Sequence, residues 1–213
     1  MKDIIIIGAG DFGKEVAWLI EDINKCKPKY IILGFLDDDE TKIGKFYNGY
    51  ECLGPTAYLR ELTKHHHTCA VIANQDGKIR KKFVDMFPEF DEWETVIHPS
   101  VSISNTSIVG KGSVVCANAN VSVNTVIGKQ CLLNLSTVVG NDVSIDNYVS
   151  IMSGTCIGSH VDIKEYAFLS TNSTVLPGMK IGERAKVGAG SVVIRNVREG
   201  TTVMGVPAKK IMF

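Results

Sequence analysis

The chain has no excess of charge in either direction: its 23 basic and 23 acidic residues cancel. That balance argues against the basic footprint by which proteins hold nucleic acid or an anionic membrane surface. No apolar run approaches the roughly 20 residues a bilayer-spanning helix needs, so no membrane partner is expected. The first residues enter an apolar run at once, with none of the layout of a signal peptide. Cys26, Cys52, Cys69, Cys116, Cys131 and Cys156 form no Cys-x-x-Cys pair and no disulfide-like spacing. Reduced thiols in a cytoplasmic protein are the economical reading. A metal site is not expected either, because His65, His66 and His67 are consecutive and cannot converge on one ion from a regular element. They read as a surface loop.

What the chain does have is a period. From Ile97 to Val193 every sixth residue is Val, Ile or Leu, seventeen in succession. Four positions after each stands a small or β-branched residue, such as Ser113, Ala119, Thr125, Cys131, Thr137 or Ser191, and only Met179 breaks that second series. A period of six fits neither a helix nor a flat strand. It marks a hexapeptide-repeat parallel β-helix, in which three hexapeptides complete one coil of a triangular prism. The aliphatic side chain points to the prism axis, and the small one fits near a corner. Residues eighteen apart should then stack about 4.8 Å from one another, as neighbouring parallel strands do.

The first 95 residues follow a different plan. Ile4–Ile7, Tyr30–Leu36 and Cys69–Ala73 read as buried strands, with Glu94–Ile97 as a fourth. Helical spacing follows Gly13, and runs 56–63 and 78–86 read as further helices. Alternating strands and helices predict a small Rossmann-like α/β domain with a parallel sheet. The predicted division is 1–95 for that domain, 96–194 for the β-helix and 195–213 for a capping tail. Between the first strand and helix lies Gly8-Ala9-Gly10-Asp11-Phe12-Gly13. Glycines there let backbone N–H groups approach a phosphate at the helix N-terminus. Asp37 and Asp38, at the end of the second strand, are candidates for a ribose or sugar hydroxyl. A nicotinamide site and a nucleotide-sugar site both fit. About three strands are too few for a full dinucleotide fold, which favours the nucleotide sugar. A tight strand-to-helix turn with no ligand also explains the glycines.

Four segments in one order, Ile4–Gly10, Gly34–Asp39, Val96–Ser100 and Gly205–Lys209, resemble the sialic acid O-acetyltransferase and nucleotide-amino-sugar N-acetyltransferase family over essentially the whole chain. The resemblance implies a left-handed β-helix, a homotrimer, and acetyl-CoA as acyl donor in the groove between subunits. It implies transfer to the amine or hydroxyl of a sugar or nucleotide sugar. By the same resemblance Gly8, Gly10, Asp37, Asp38, Asn74 and Asn134 belong to the sugar-nucleotide side. Ser150, Gly154, Ala189, Pro207 and Lys209 belong to the acetyl-CoA groove.

The match breaks at two positions. The family's general-base histidine falls on Asn141, and a second histidine near the thioester falls on Ser150. An asparagine amide has no usable basicity near neutral pH. Asp142 is retained, and the eighteen-residue rule places His160 one coil above it. An Asp142–His160 pair is therefore a candidate base, with Asn141 beside it. The alternative is a ligand-binding or regulatory protein that keeps both pockets without the base.

Overall fold

The computed structural model describes residues 1–65 and 68–211. Of the histidine triplet, His66 and His67 lie outside the described residues, and His65 is the last residue of a helix. Among the described residues no helix is long and apolar enough to cross a membrane.

The N-terminal sheet contains β1 (Lys2–Ile7), β2 (Tyr30–Leu36), β3 (Phe46–Tyr47), β4 (Tyr50–Gly54) and β5 (Thr68–Ile72). Their order is β3-β4-β2-β1-β5, parallel throughout except for the edge strand β3. Three helices pack on it: α1 (Asp11–Cys26), α2 (Leu59–His65) and α3 (Gly77–Met86). The all-apolar run Ile4–Ile7 is explained by its place at the centre. Ile4 and Ile6 join a cluster with Val16 and Ile20 of α1, while Ile5 and Ile7 join Leu59, Leu62 and Phe83 from α2 and α3. A strand covered on both faces has no use for alternation.

Two elements differ from the sequence reading. The β3–β4 hairpin was not anticipated, although Asn48-Gly49 at its tip, both at positive φ (49° and 85°), is the residue pair that a tight hairpin turn prefers. The stretch Glu94–Ile97 does not extend the α/β sheet. Val96–Ile97 pair with Val114–Val115 as the first rung of the β-helix, and only Trp93 bridges to Ala70 of β5.

From Val96 onward two-residue strands stack in three parallel sheets, one per prism face. As far as Val193, rungs pair at a spacing of eighteen residues: Ile127 with Ile145, Ile145 with Ile163, Ile163 with Ile181. The aliphatic series forms one continuous buried core. Each such side chain contributes roughly 1.5–3 kcal/mol by leaving water. The second series is also buried, and its hydroxyls tie coils together. Ser113 Oγ donates to Gly128 O at 3.0 Å and Thr125 Oγ1 to Gly140 O at 2.9 Å. The prism is a left-handed parallel β-helix, following the Rossmann-like domain.

The corners carry a period of their own. Residues 112, 118, 124, 130, 136, 142, 148, 154, 160, 166, 172, 178, 184 and 190 all have positive φ. Gly and Asn suit that left-handed conformation and fill seven of these positions. The repeat also outlasts Val193. Val197 bridges Ile181 and Val203 pairs with Val187, both sixteen residues on, so the final coil is shortened by two residues where a plain loop had been expected. Lys209–Lys210 then turn back antiparallel on Thr202–Met204.

Candidate active site

The glycine loop is built by close approach. Gly8, at φ 108°, has no room for a side chain: a Cβ would lie 2.8 Å from Ala73 O. A Cβ on Gly13 would lie 2.0 Å from Gly8 O, so the first turn of α1 rests directly on the loop. Gly10 is different, because nothing stands within 4 Å of where its Cβ would be. It precedes α1 without a side-chain cap, which leaves the helix N-terminus open to an anion.

Asp37 and Asp38 are engaged within the protein. Asp37 accepts Ala9 N–H and Lys42 Nζ on one oxygen, each at 2.8 Å, and Asp39 N–H on the other at 3.0 Å. Burial pushes its pKa up, but these hydrogen bonds outweigh burial and hold it below the usual carboxylate range. Asp38 accepts both the N–H and the hydroxyl of Thr56. Their shown work is to shape the loop and the turn beside it. Asn74 Oδ1 likewise accepts Asp76 N–H. Asn134 is buried, and its Oδ1 accepts Leu135 N–H.

The prism edges sort the remaining candidates into separate columns. One edge carries Gln130, Tyr148, Tyr166 and Arg184; the next carries Ser136, Gly154, Asn172 and Gly190; the third carries Asn124, Asp142, His160 and Gly178. Gly154 and Ala189 share the second edge. Asn141, Asp142 and His160 share the third. The Pro207–Lys209 tail, with a cis Val206–Pro207 bond, runs beside the second, where Ala208 N–H donates to Val192 O.

On the third edge the Asp142 carboxylate accepts Asn141 Nδ2 on one oxygen and Asn124 Nδ2, at 3.1 Å, on the other. These bonds keep its pKa low, the Asn141 bond most. The other end of Asn141 accepts Ser159 Oγ at 2.6 Å. His160 does stack above Asp142, yet its Nδ1 stands 3.9 Å from Asp142 Oδ2. That is ion-pair range and beyond a hydrogen bond, so the expected carboxylate–imidazole bond is absent: the two asparagine amides occupy the carboxylate instead.

Ser150 stands at the junction of the prism with the N-terminal domain, in the wall of a cavity. It is buried against the N-terminal domain, donating to Gln75 O at 2.6 Å and accepting Arg80 Nη2 at 3.0 Å. Arg80 was not singled out by sequence. Only 2% exposed, its guanidinium also donates to the carbonyls of Asn74, Gln130, Tyr148 and Val149. Burial draws its pKa down to about 10, still protonated at neutral pH. One basic residue in a basic helix carried no signal of this role. Beside this seam lies a cavity of about 370 Å³ whose walls include Lys78, Tyr166, Arg184, Lys186 and Ala189. Three cations and an aromatic ring suit a phosphate-bearing ligand. The cavity does not reach Asp142.

Residues 3–87 match the family model of the PglD N-terminal domain. A curated relative, UDP-N-acetylbacillosamine N-acetyltransferase of Bacillus subtilis (strain 168), is 31% identical over 120 residues, 55% of this chain. That match spans about half of the relative, 52% of its length. Two solved structures superpose over the whole chain. A mutant of perosamine N-acetyltransferase from Caulobacter crescentus, with histidine changed to asparagine and in complex with CoA and GDP-perosamine, gives a TM-score of 0.90 at 27% identity, covering 100% of this chain and 98% of that one. The acetyltransferase domain of PglB from Neisseria gonorrhoeae FA1090, with acetyl coenzyme A, gives 0.90 at 28% identity, covering 99% of each. The resemblance to nucleotide-amino-sugar N-acetyltransferases thus holds in the N-terminal domain, in a curated relative and in the whole-chain structure.

Proposed function

We propose that this chain is an acetyl-CoA-dependent N-acetyltransferase that acts on a nucleotide-linked amino sugar, in the cytoplasm and as a homotrimer. The observation that carries this reading is the whole-chain likeness to a relative solved with CoA and GDP-perosamine together. The residues support it. Gly8 and Gly10 open the α1 N-terminus to the diphosphate of the nucleotide, with Asn74, Asp37 and Asp38 shaping the loop around it. Gly154, Ala189, Pro207 and Lys209 line the edge for the acyl donor, beside the cationic cavity. Ser150 lines that cavity, while Asn134 Oδ1 is taken by Leu135 N–H.

The reaction joins the amine nitrogen to the thioester carbonyl carbon and releases CoA as a thiol. Its tetrahedral intermediate needs hydrogen-bond donors for the oxyanion and an acceptor for the amine proton. The donor edge and the Asp142 edge are a full prism face apart within one chain. In the proposed homotrimer a neighbouring prism supplies the other half of the site.

One observation favours a second reading, a binding protein without turnover: both ends of the Asn141 amide are already hydrogen-bonded. Calorimetry with CoA and GDP-perosamine, followed by thiol release from acetyl-CoA with GDP- and UDP-linked amino sugars, separates the two. Binding with thiol release is the expected result. Binding of both ligands without thiol release from any acceptor would select the second reading.

A further inference from the structure

On the reading just given, some group must take the proton that the attacking amine sheds, and Asn141 is not available for it. Its Nδ2 is bonded to Asp142 and its Oδ1 receives Ser159 Oγ. Asp142 itself is held in its charged form by two amide donors. We infer that His160, one coil above Asp142 on the same prism edge, is the proton acceptor of this protein.

Three features of the edge point that way. The His160 side chain is 67% exposed at a corner, so its imidazole stands free of the core and open to an arriving substrate. Its Nδ1 lies 3.9 Å from Asp142 Oδ2, within ion-pair range and beyond a hydrogen bond, so the carboxylate neighbours the ring without holding it. The register fixes that relation: His160 N–H donates to Asn141 O at 2.9 Å, which locks the two coils together at this point. The Asn124–Asp142–Asn141–Ser159 chain then becomes a support that keeps a negative charge beside His160.

In the proposed step the amine nitrogen bonds to the thioester carbonyl carbon while one of its protons passes to the His160 imidazole. The carbon–sulfur bond then breaks, and the imidazolium returns the proton to the departing CoA sulfur. The products are the amide and CoA thiol, and no further reactant is needed.

The test exploits the corner geometry. Gly154, Gly178 and Gly190 occupy equivalent positive-φ corners, so His160→Gly leaves the coil a residue that suits it. His160→Asn keeps a side chain there that also tolerates this conformation. Both variants should bind CoA and GDP-perosamine as the parent does by calorimetry. Their kcat for thiol release, with whichever nucleotide-linked amino sugar the parent accepts, should fall by about 10²-fold or more, with KM little changed. Added imidazole should restore part of the rate to His160→Gly and none to the parent. A parent that turns over while both variants keep its kcat overturns the assignment of His160 alone. A parent that releases no thiol with any acceptor overturns the transferase reading and this inference with it.

Discussion

Tyr148 and Asp142 stand six residues apart at positive-φ corners of the same prism, on the same backbone plan. Their surroundings have nothing in common. At Tyr148 the edge is closed: Gly77 of α3 rests on its carbonyl, Arg80 donates to the same oxygen, and its ring stacks on Tyr166 at 5.5 Å. At Asp142 the edge is open, and its polar groups bond only to one another and to the coils above and below. The repeat therefore does not decide what a corner does. A covered corner becomes a structural seam, and an uncovered one is left free for chemistry.

The sharpest way to break that contrast is to empty the closed edge. Arg80→Met should remove every guanidinium donor from the seam and leave carbonyls of Gln130 and Tyr148 facing an apolar side chain. An unsatisfied buried acceptor costs about 1–3 kcal/mol, so a loss of roughly 3–5 kcal/mol is expected in urea unfolding. Asp142→Asn on the open edge should shift the same unfolding midpoint far less, as exposed substitutions do. Equal losses for the two would mean that the edges are not different in kind.

A smaller effect is expected from Gly77→Ala. The added Cβ would sit 2.0 Å from Tyr148 O, so α3 must move off the prism edge. Overpacking of this sort costs about 1–3 kcal/mol. Because α3 begins beside the cavity of Lys78 and Ala189, CoA affinity measured by calorimetry should weaken as well. Unchanged stability together with unchanged affinity would show that the seam yields without resistance.

The same contrast explains what was legible beforehand. The prism was, because its core repeats: Ile145, Ile163 and Ile181 announce their stacking through spacing alone, and the Asp142–His160 proximity follows by arithmetic. The Rossmann-like sheet was legible through the run Ile4–Ile7 and the glycines after it. What stayed hidden depends on contact between the two parts. Ser150 lines the cavity, as the resemblance implied, but its burial comes from Gln75 and Arg80, more than 65 residues away. Asp37 looked free to bind a hydroxyl, while the nearby Lys42 and the distant Ala9 N–H claim it. The Asn48-Gly49 turn was a local signal and was overlooked. That an amide stands at Asn141 is plain in the sequence, but its bond to Ser159 requires the next coil to be in place.

The mildest way to sharpen the comparison uses pH, at the point where the chain passes from sheet to prism. Glu94 is 13% exposed and accepts Tyr30 Oη at 2.6 Å and Lys2 Nζ at 2.9 Å, with Lys29 Nζ at 3.2 Å. Burial pushes its pKa up, and the bonds from Tyr30, Lys2 and Lys29 more than reverse that, so the folded value lies below the ordinary one. A carboxylate with a depressed folded pKa stabilises the fold above its unfolded pKa, about 4.3 for glutamate, and loses that contribution as pH falls through the folded value. Glu94→Gln should therefore unfold more easily than the parent at pH 7, by about 1 kcal/mol. The gap should narrow below about pH 4, as the parent's own carboxyl becomes protonated. Asp142→Asn should show less of this, since that carboxylate is exposed to solvent and its bonds join only the open edge. A gap for Glu94→Gln that stays constant from pH 7 to pH 3 would mean that shape rather than charge holds the junction, and the closed regions of the molecule would then owe less to electrostatics than Arg80 suggests.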